Sequence, residues 1–152
     1  MSTPDEISAK ILAIFDAAMR RRSGYGVSEY AVIDDAEADR IQRKTGFDLH
    51  GWSRDLTEDA VRHIRKKHGN PKTEEPRGQI AVTREHFAKL HWILKNADEI
   101  TATKTRQGLD AIRYEKQING YVVIIEEKRN DQEKKMSLTS IYIYKRKPAG
   151  DT

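Results

Sequence analysis

Asn119 and Gly120 stand between two runs, Ala111 to Ile118 and Tyr121 to Lys128, both rich in Ile, Val and Tyr. β-Branched and aromatic side chains suit a pleated, half-buried surface. A two-residue Asn-Gly link needs positive φ at both positions, which these residues adopt at low cost, and its twist matches that of paired strands. The link therefore commits the centre of the chain to an antiparallel hairpin. A further run, Ser137 to Lys145, follows the charged stretch from Arg129 to Lys135 and extends the hairpin into a meander. Asp98 to Thr103 reads as one more strand ahead of it.

The first two thirds carry helical spacing instead. Pro4 suits a first turn, and Ile7, Ile11, Ile14, Phe15 and Ala18 recur at the helical period, so residues 4–22 predict a helix. Arg20, Arg21 and Arg22 close it ahead of the breaker Ser-Gly-Tyr-Gly; such a run is a solvated helix end or a phosphate contact. Residues 34–44 predict a weak second helix, rich in charge. With 34% of residues charged and 37% hydrophobic, part of the chain is expected to lack a deep core. Residues 1–45 accordingly read as a helical accessory arm, 46–147 as the main domain and 148–152 as a disordered tail. Gly46 to Trp52 is a turn-rich segment that packs across the next helix, residues 69–78 are a polar loop, and Thr83 caps a helix with a stripe of Phe87, Leu90, Ile93 and Leu94. The class is α+β: N-terminal helices followed by a four-stranded antiparallel sheet.

The helix over 57–68 holds the chemistry. Thr57 caps it, Glu58 and Asp59 occupy its first turn, and Lys66, Lys67 and His68 its last, as the helix dipole favours. Gly69 is the expected left-handed stop. Val61, Ile64 and His68 share one face, so a buried stripe ends in an imidazole ringed by Arg62, His63, Arg65, Lys66 and Lys67. A titratable ring at a core edge inside a cationic cluster suits acid–base work on a polyanion; the plainer reading is a satisfied core-edge histidine on a solvated basic helix. On the strands, Lys116 breaks an otherwise apolar row of Ile112, Tyr114 and Ile118. Met136, Leu138, Ser140, Tyr142 and Tyr144 form a row that turns from apolar to hydroxyl-bearing. Which row faces the open side is not fixed by alternation alone.

Several classes fall away. There is no cysteine, so disulfides and thiolate metal sites are excluded. His63 and His68 are five apart, as are His86 and His91, which is the wrong spacing for two ligands on one helix face. No metal and no cofactor is expected. No apolar run spans a membrane and no basic leader is present, so a cytoplasmic protein is expected. A net charge of +4, clustered at 62–67 and 145–147, permits nucleic-acid binding. Metal-free RNA cleavage needs a base for the 2′-OH, cations for the phosphorane and an acid for the leaving oxygen, and His, Lys or Arg, and Ser, Thr or Tyr suffice.

Gly46-Phe-Asp-Leu-x-Gly-Trp52, then Arg62-His63 and His68-Gly69, then Gly78-Gln-Ile, Tyr114-x-Lys116, the Asn-Gly hairpin and Leu138-Thr-Ser-x-Tyr142 follow in an order that resembles a known group. It is the phage-encoded branch of the Barnase–EndoU–colicin–RelE-like nucleases, domains that occur in MuF-type phage head proteins and polymorphic toxins. The resemblance covers about residues 46–147. It implies a metal-independent endoribonuclease of toxin type on a barnase/RelE-like fold, cutting tRNA or another structured RNA by 2′-OH attack on the adjacent phosphate. RNA is the implied partner, an immunity or antitoxin protein a second one, and no membrane is involved. Carried over, His68, His63, Lys116, Ser140 and Tyr142 are the implied catalytic residues, with either histidine as base or acid, and Arg62, Lys66, Lys67 and Tyr114 the implied substrate-binding ones. The competing reading is a catalytically inactive RNA-binding or phage-particle protein with the same fold.

Overall fold

The computed structural model describes residues 2–21, 24–129 and 131–148. Arg22 of the triple-arginine run and residues 149–152 of the expected tail lie outside them. Chain order is α1 (Pro4–Arg20), β1 (Val27–Val32), α2 (Asp35–Thr45), β2 (Ser53–Thr57), α3 (Glu58–His68), α4 (Pro71–Glu74), a 3-10 turn (Glu75–Arg77), β3 (Gln79–Ile80), α5 (Arg84–Ala88), α6 (Leu90–Lys95), β4 (Glu99–Lys104), β5 (Asp110–Gln117), β6 (Tyr121–Lys128) and β7 (Lys135–Tyr144). Asn119 and Gly120 take φ of 45° and 116°, and β5 and β6 pair antiparallel as the link requires.

The sheet is larger than the four antiparallel strands expected. It is mixed and seven-stranded, in the order β1-β2-β7-β6-β5-β4, with β3 also on β7. β7 pairs with β6 along one edge. Its other edge is shared: β2 runs parallel to Lys135–Ser137, and β3 pairs antiparallel at Ile143 and Tyr144. Between them the edge has no strand partner among the described residues, and α3, leaving the end of β2, packs on β7. Thr57 caps α3 by accepting from the Ala60 amide at 3.1 Å, as its sequence position predicts.

Residues 1–45 are not an arm. Ile7, Ile11, Phe15 and Ala18 of α1, Tyr30 of β1, and Ala38 and Ile41 of α2 belong to one continuous core with Val61, Ile64, Phe87 and Ile124. β1 is a strand that the sequence reading missed, and the buried Glu58 carboxylate joins Arg21 at 2.6 Å to the Gly26 amide at 2.7 Å. The polar composition misled because apolar residues here are few but placed on single faces. A 46–152 fragment is therefore expected not to fold. Far-UV circular dichroism and amide dispersion check this; a cooperative transition in the fragment would restore the boundary at 46.

Gly69 also differs from expectation. Its φ is −97°, not left-handed. Glycine is needed there because a Cβ would strike the Arg65 carbonyl. Past it, the Val82 amide donates to the His68 carbonyl at 2.7 Å and the Arg65 guanidinium donates to the Val82 carbonyl, clamping the end of α3 to the segment after β3. The helix capped by Thr83 breaks at Lys89 into α5 and α6, with its expected stripe buried.

A buried ionic cluster ties α2 to the sheet. Arg54 of β2, with no exposed surface, donates to Glu126 of β6 at 3.1 Å, to Glu37 of α2 at 2.5 Å and to the Tyr114 hydroxyl at 3.5 Å.

Candidate active site

Cross-strand register sorts the sheet's two faces, because partnered residues point to the same side. Ile100, Tyr114 and Ile124 align, as do Ala102, Ile112 and Glu126. Apart from the exposed Ala102 on the outer strand β4, these residues are buried on the helix side. On the opposite side Glu115, Val123 and Tyr142 align, then Arg113, Ile125 and Ser140, then Gln117, Tyr121 and Tyr144. Most of these residues stay partly exposed.

β7 crosses from one side to the other. Ile125 pairs with Ser140 but Glu126 pairs with Leu138, so Thr139 is an extra residue in a β-bulge. The bulge moves Met136 and Leu138 to the core side and Ser140, Tyr142 and Tyr144 to the open side. The row that turns from apolar to hydroxyl-bearing is thus two rows on two faces.

On the open side α3 delivers His68. Its Nδ1–H donates to Oε2 of Glu74 at 3.2 Å, and Glu74 is fully buried in the short helix α4. A carboxylate on Nδ1 fixes the tautomer and leaves the Nε2 lone pair free. The His68 ring lies 5.6 Å from that of Tyr142, centroid to centroid. Arg113 Nη1 donates to the Tyr142 hydroxyl at 3.0 Å, and Arg113 also pairs with Glu115 at 3.3 Å. Burial raises the Tyr142 pKa, so the phenol keeps its proton at neutral pH. Tyr144 stands edge-on to Tyr142 at 5.6 Å. His68, Glu74, Tyr142 and Arg113 therefore form one chain of contacts: an imidazole held by a carboxylate, a hydroxyl and a cation.

The structure brings together only part of the predicted set. His68, Ser140 and Tyr142 lie at the open side. His63 is exposed on α3; partial desolvation, then the charges of Lys67, His68, Lys66 and Arg106, lower its pKa and favour neutral imidazole. Lys116 and Tyr114 are on the wrong face. Lys116 bonds Asp98 at 3.0 Å and lies over the Trp92 ring, while Tyr114 is buried beside Arg54. Their row is the core row, which its apolar members Ile112 and Ile118 already suggest. Arg62 is committed to Asp59 at 2.7 Å and to the Gly24 carbonyl at 2.6 Å, so it braces the start of α3. Lys66 and Lys67 are exposed.

Sequence reasoning missed Glu74 and Arg113. Asn70-Pro71 signalled the first, since Asn70 accepts from the Lys72 amide at 3.0 Å as a helix cap and so makes a helix of the supposed loop. Alternation signalled the second: the residue next to a core-facing tyrosine faces out.

If RNA is the ligand, as the resemblance implies, its affinity is expected to depend on Lys66 and Lys67 and hardly on Arg62. Neutralising the two lysines should reduce the slope of log affinity against log salt by about 0.7 per contact for single strands. Filter binding at several salt concentrations measures it, and a slope that follows Arg62 instead would reverse the assignment.

A family model described as phage-Barnase-EndoU-ColicinE5/D-RelE like nuclease3 matches residues 31–149. No curated protein matches the chain. No solved structure matches it either.

Proposed function

The chain belongs to the phage-Barnase-EndoU-ColicinE5/D-RelE like nuclease3 family, and from that premise we propose that it is a metal-independent endoribonuclease with His68 as its general base. One observation carries the reading: His68 is held by a buried carboxylate beside a tyrosine–arginine pair on the open side of the sheet. His68 Nε2 takes the proton of a ribose 2′-OH as that oxygen attacks the adjacent phosphorus. Arg113 stabilises the charge gathering on the phosphorane oxygens. The Tyr142 hydroxyl, accepting from Arg113, has its own proton free to give to the departing 5′ oxygen. The bond from phosphorus to that oxygen breaks, leaving a 2′,3′-cyclic phosphate and a 5′-OH. Both groups recover their protonation states from solvent. Ser140, one register step from Tyr142, hydrogen-bonds the phosphate, and Lys66 and Lys67 hold the flanking backbone. A tRNA or another structured RNA is the proposed substrate, cut in a bacterial cytoplasm by a toxin-type enzyme with an immunity protein as its inhibitor.

Single-turnover cleavage of bulk tRNA in excess chelator is the test. Cleavage is expected to persist and to leave cyclic-phosphate ends. Loss of cleavage on chelation with recovery on added Zn²⁺ or Mg²⁺ would overturn metal independence. Binding without cleavage in either condition would favour the inactive RNA-binding protein.

A further inference from the structure

β1 ends the sheet, and β2 is its only strand partner among the described residues. The Glu58 amide donates to the Gly26 carbonyl and the Ile33 amide donates to the Trp52 carbonyl, so Gly26 and Ile33 point toward β2. The β1–β2 register shifts between Glu29 and Ala31, so alternation counted from Gly26 turns the amides of Val27 and Glu29 to the free edge, and alternation counted from Ile33 turns that of Val32. A groove of about 780 Å³ runs along this edge. Glu29, Tyr30, Ala31 and Val32 all line it, across the register shift in β1. One face of α1 forms a wall with Glu6 and Lys10, and His91 and Lys95 of α6 form the other.

Two features of the groove ask for a ligand. The Tyr30 side chain is 1% exposed, yet its hydroxyl has no hydrogen-bond partner, and neither has the buried Nε2 of His91, whose ring meets Tyr30 edge-on at 6.2 Å. Buried polar groups are nearly always satisfied, so a pair left open at one cavity is exceptional. The charge is also reversed. Glu6, Glu29, Asp34 and Glu37 line the groove against Lys10 and Lys95, in a protein of net charge +4. Lys95 is already spent on Asp34 at 3.0 Å and Glu37 at 3.8 Å, and Glu29 meets Lys135 at 3.4 Å, while Glu6 adds a further carboxylate to the wall. Behind the groove the Arg54 cluster holds two carboxylates for one guanidinium. Burial lowers the His91 pKa to about 4, so at neutral pH its ring is uncharged and Nε2 can accept.

We propose that this groove docks an extended, lysine- or arginine-bearing segment of a partner protein, added as a strand to the free edge of β1. Main-chain hydrogen bonds to Val27, Glu29 and Val32 supply register, and one cationic side chain donates to the Tyr30 hydroxyl and to His91 Nε2. The surface shares no residue with the site around His68 and does not rest on the nuclease reading.

The test titrates the ¹⁵N-labelled full chain with a Val-Lys-Val-Lys-Val-Lys peptide and with its Val-Glu counterpart. Saturable binding of the lysine peptide is expected, with hydrogen-exchange protection gained at the Val27, Glu29 and Val32 amides. The glutamate peptide should bind at least tenfold more weakly, and Glu6→Gln combined with Glu29→Gln should weaken the lysine peptide by roughly tenfold. Equal binding of both peptides, protection away from β1, the absence of saturable binding, or edge protection that grows with protein concentration alone would each overturn the proposal, the last in favour of self-association.

Discussion

His68→Gln is expected to lower single-turnover cleavage by roughly 10²-fold or more, with RNA affinity and melting temperature nearly unchanged. Glutamine keeps the volume and polarity that the half-buried position needs, and it removes an imidazole whose Nε2 lone pair is oriented by a buried carboxylate. Glu74→Gln should also depress turnover while His68 stays in place, because an amide can turn its NH₂ toward Nδ1 and select the opposite tautomer. The two effects should not add, since both act on one imidazole. Rate and thermal melting measured on the same preparations decide the matter. An activity loss that only tracks unfolding would return His68 to a structural role, and full activity in a stable His68→Gln protein would pass the base to His63.

Arg54→Ala should be the most destabilising single change outside the apolar core. Removing one partner of a buried ion pair costs about 3–5 kcal/mol, because the other charge is left without compensation. Here Glu126 has no exposed surface and Glu37 is nearly covered, so neither carboxylate is rescued by water. At about 2–4 °C per kcal/mol for a chain of this size, the melting temperature should fall by on the order of 10 °C. Arg54→Met combined with Glu126→Leu and Glu37→Gln should recover much of the loss, since replacing a buried ion cluster with uncharged groups is often neutral or better. Calorimetry on the parent and the two variants checks this; an Arg54→Ala protein as stable as the parent would mean the cluster is hydrated.

Local signals in the chain were legible. Thr57, the acidic first turn and the basic last turn defined α3, and Asn119-Gly120 defined the hairpin, because caps and tight turns are decided by neighbouring residues. What stayed hidden depends on partners far along the chain. β1 has six residues and one strand neighbour, and its pattern becomes a strand only when β2 lies beside it. The parallel pairing of β2 with β7 joins residues some 80 positions apart and leaves no local mark. Of the two cations on β5 the sequence reading singled out Lys116 and passed over Arg113, although the register puts the first on the helix side and the second on the open side. Glu74 was passed over as part of a polar loop although Asn70 and Pro71 announced a helix there.

The extra residue at Thr139 shifts the phase of β7, and so divides that strand into two segments under different selection. Met136 and Leu138 answer to packing, whereas Ser140, Tyr142 and Tyr144 answer to whatever lies on the open side. Positions 140, 142 and 144 could be diversified together for new substrates without disturbing the interior. Deleting Thr139 would make Glu126–Leu138 and Ile125–Ser140 consecutive pairs, so ordinary alternation would keep Ser140, Tyr142 and Tyr144 on the open side and Ile141 and Ile143 in the core, with only the local bend of the strand lost.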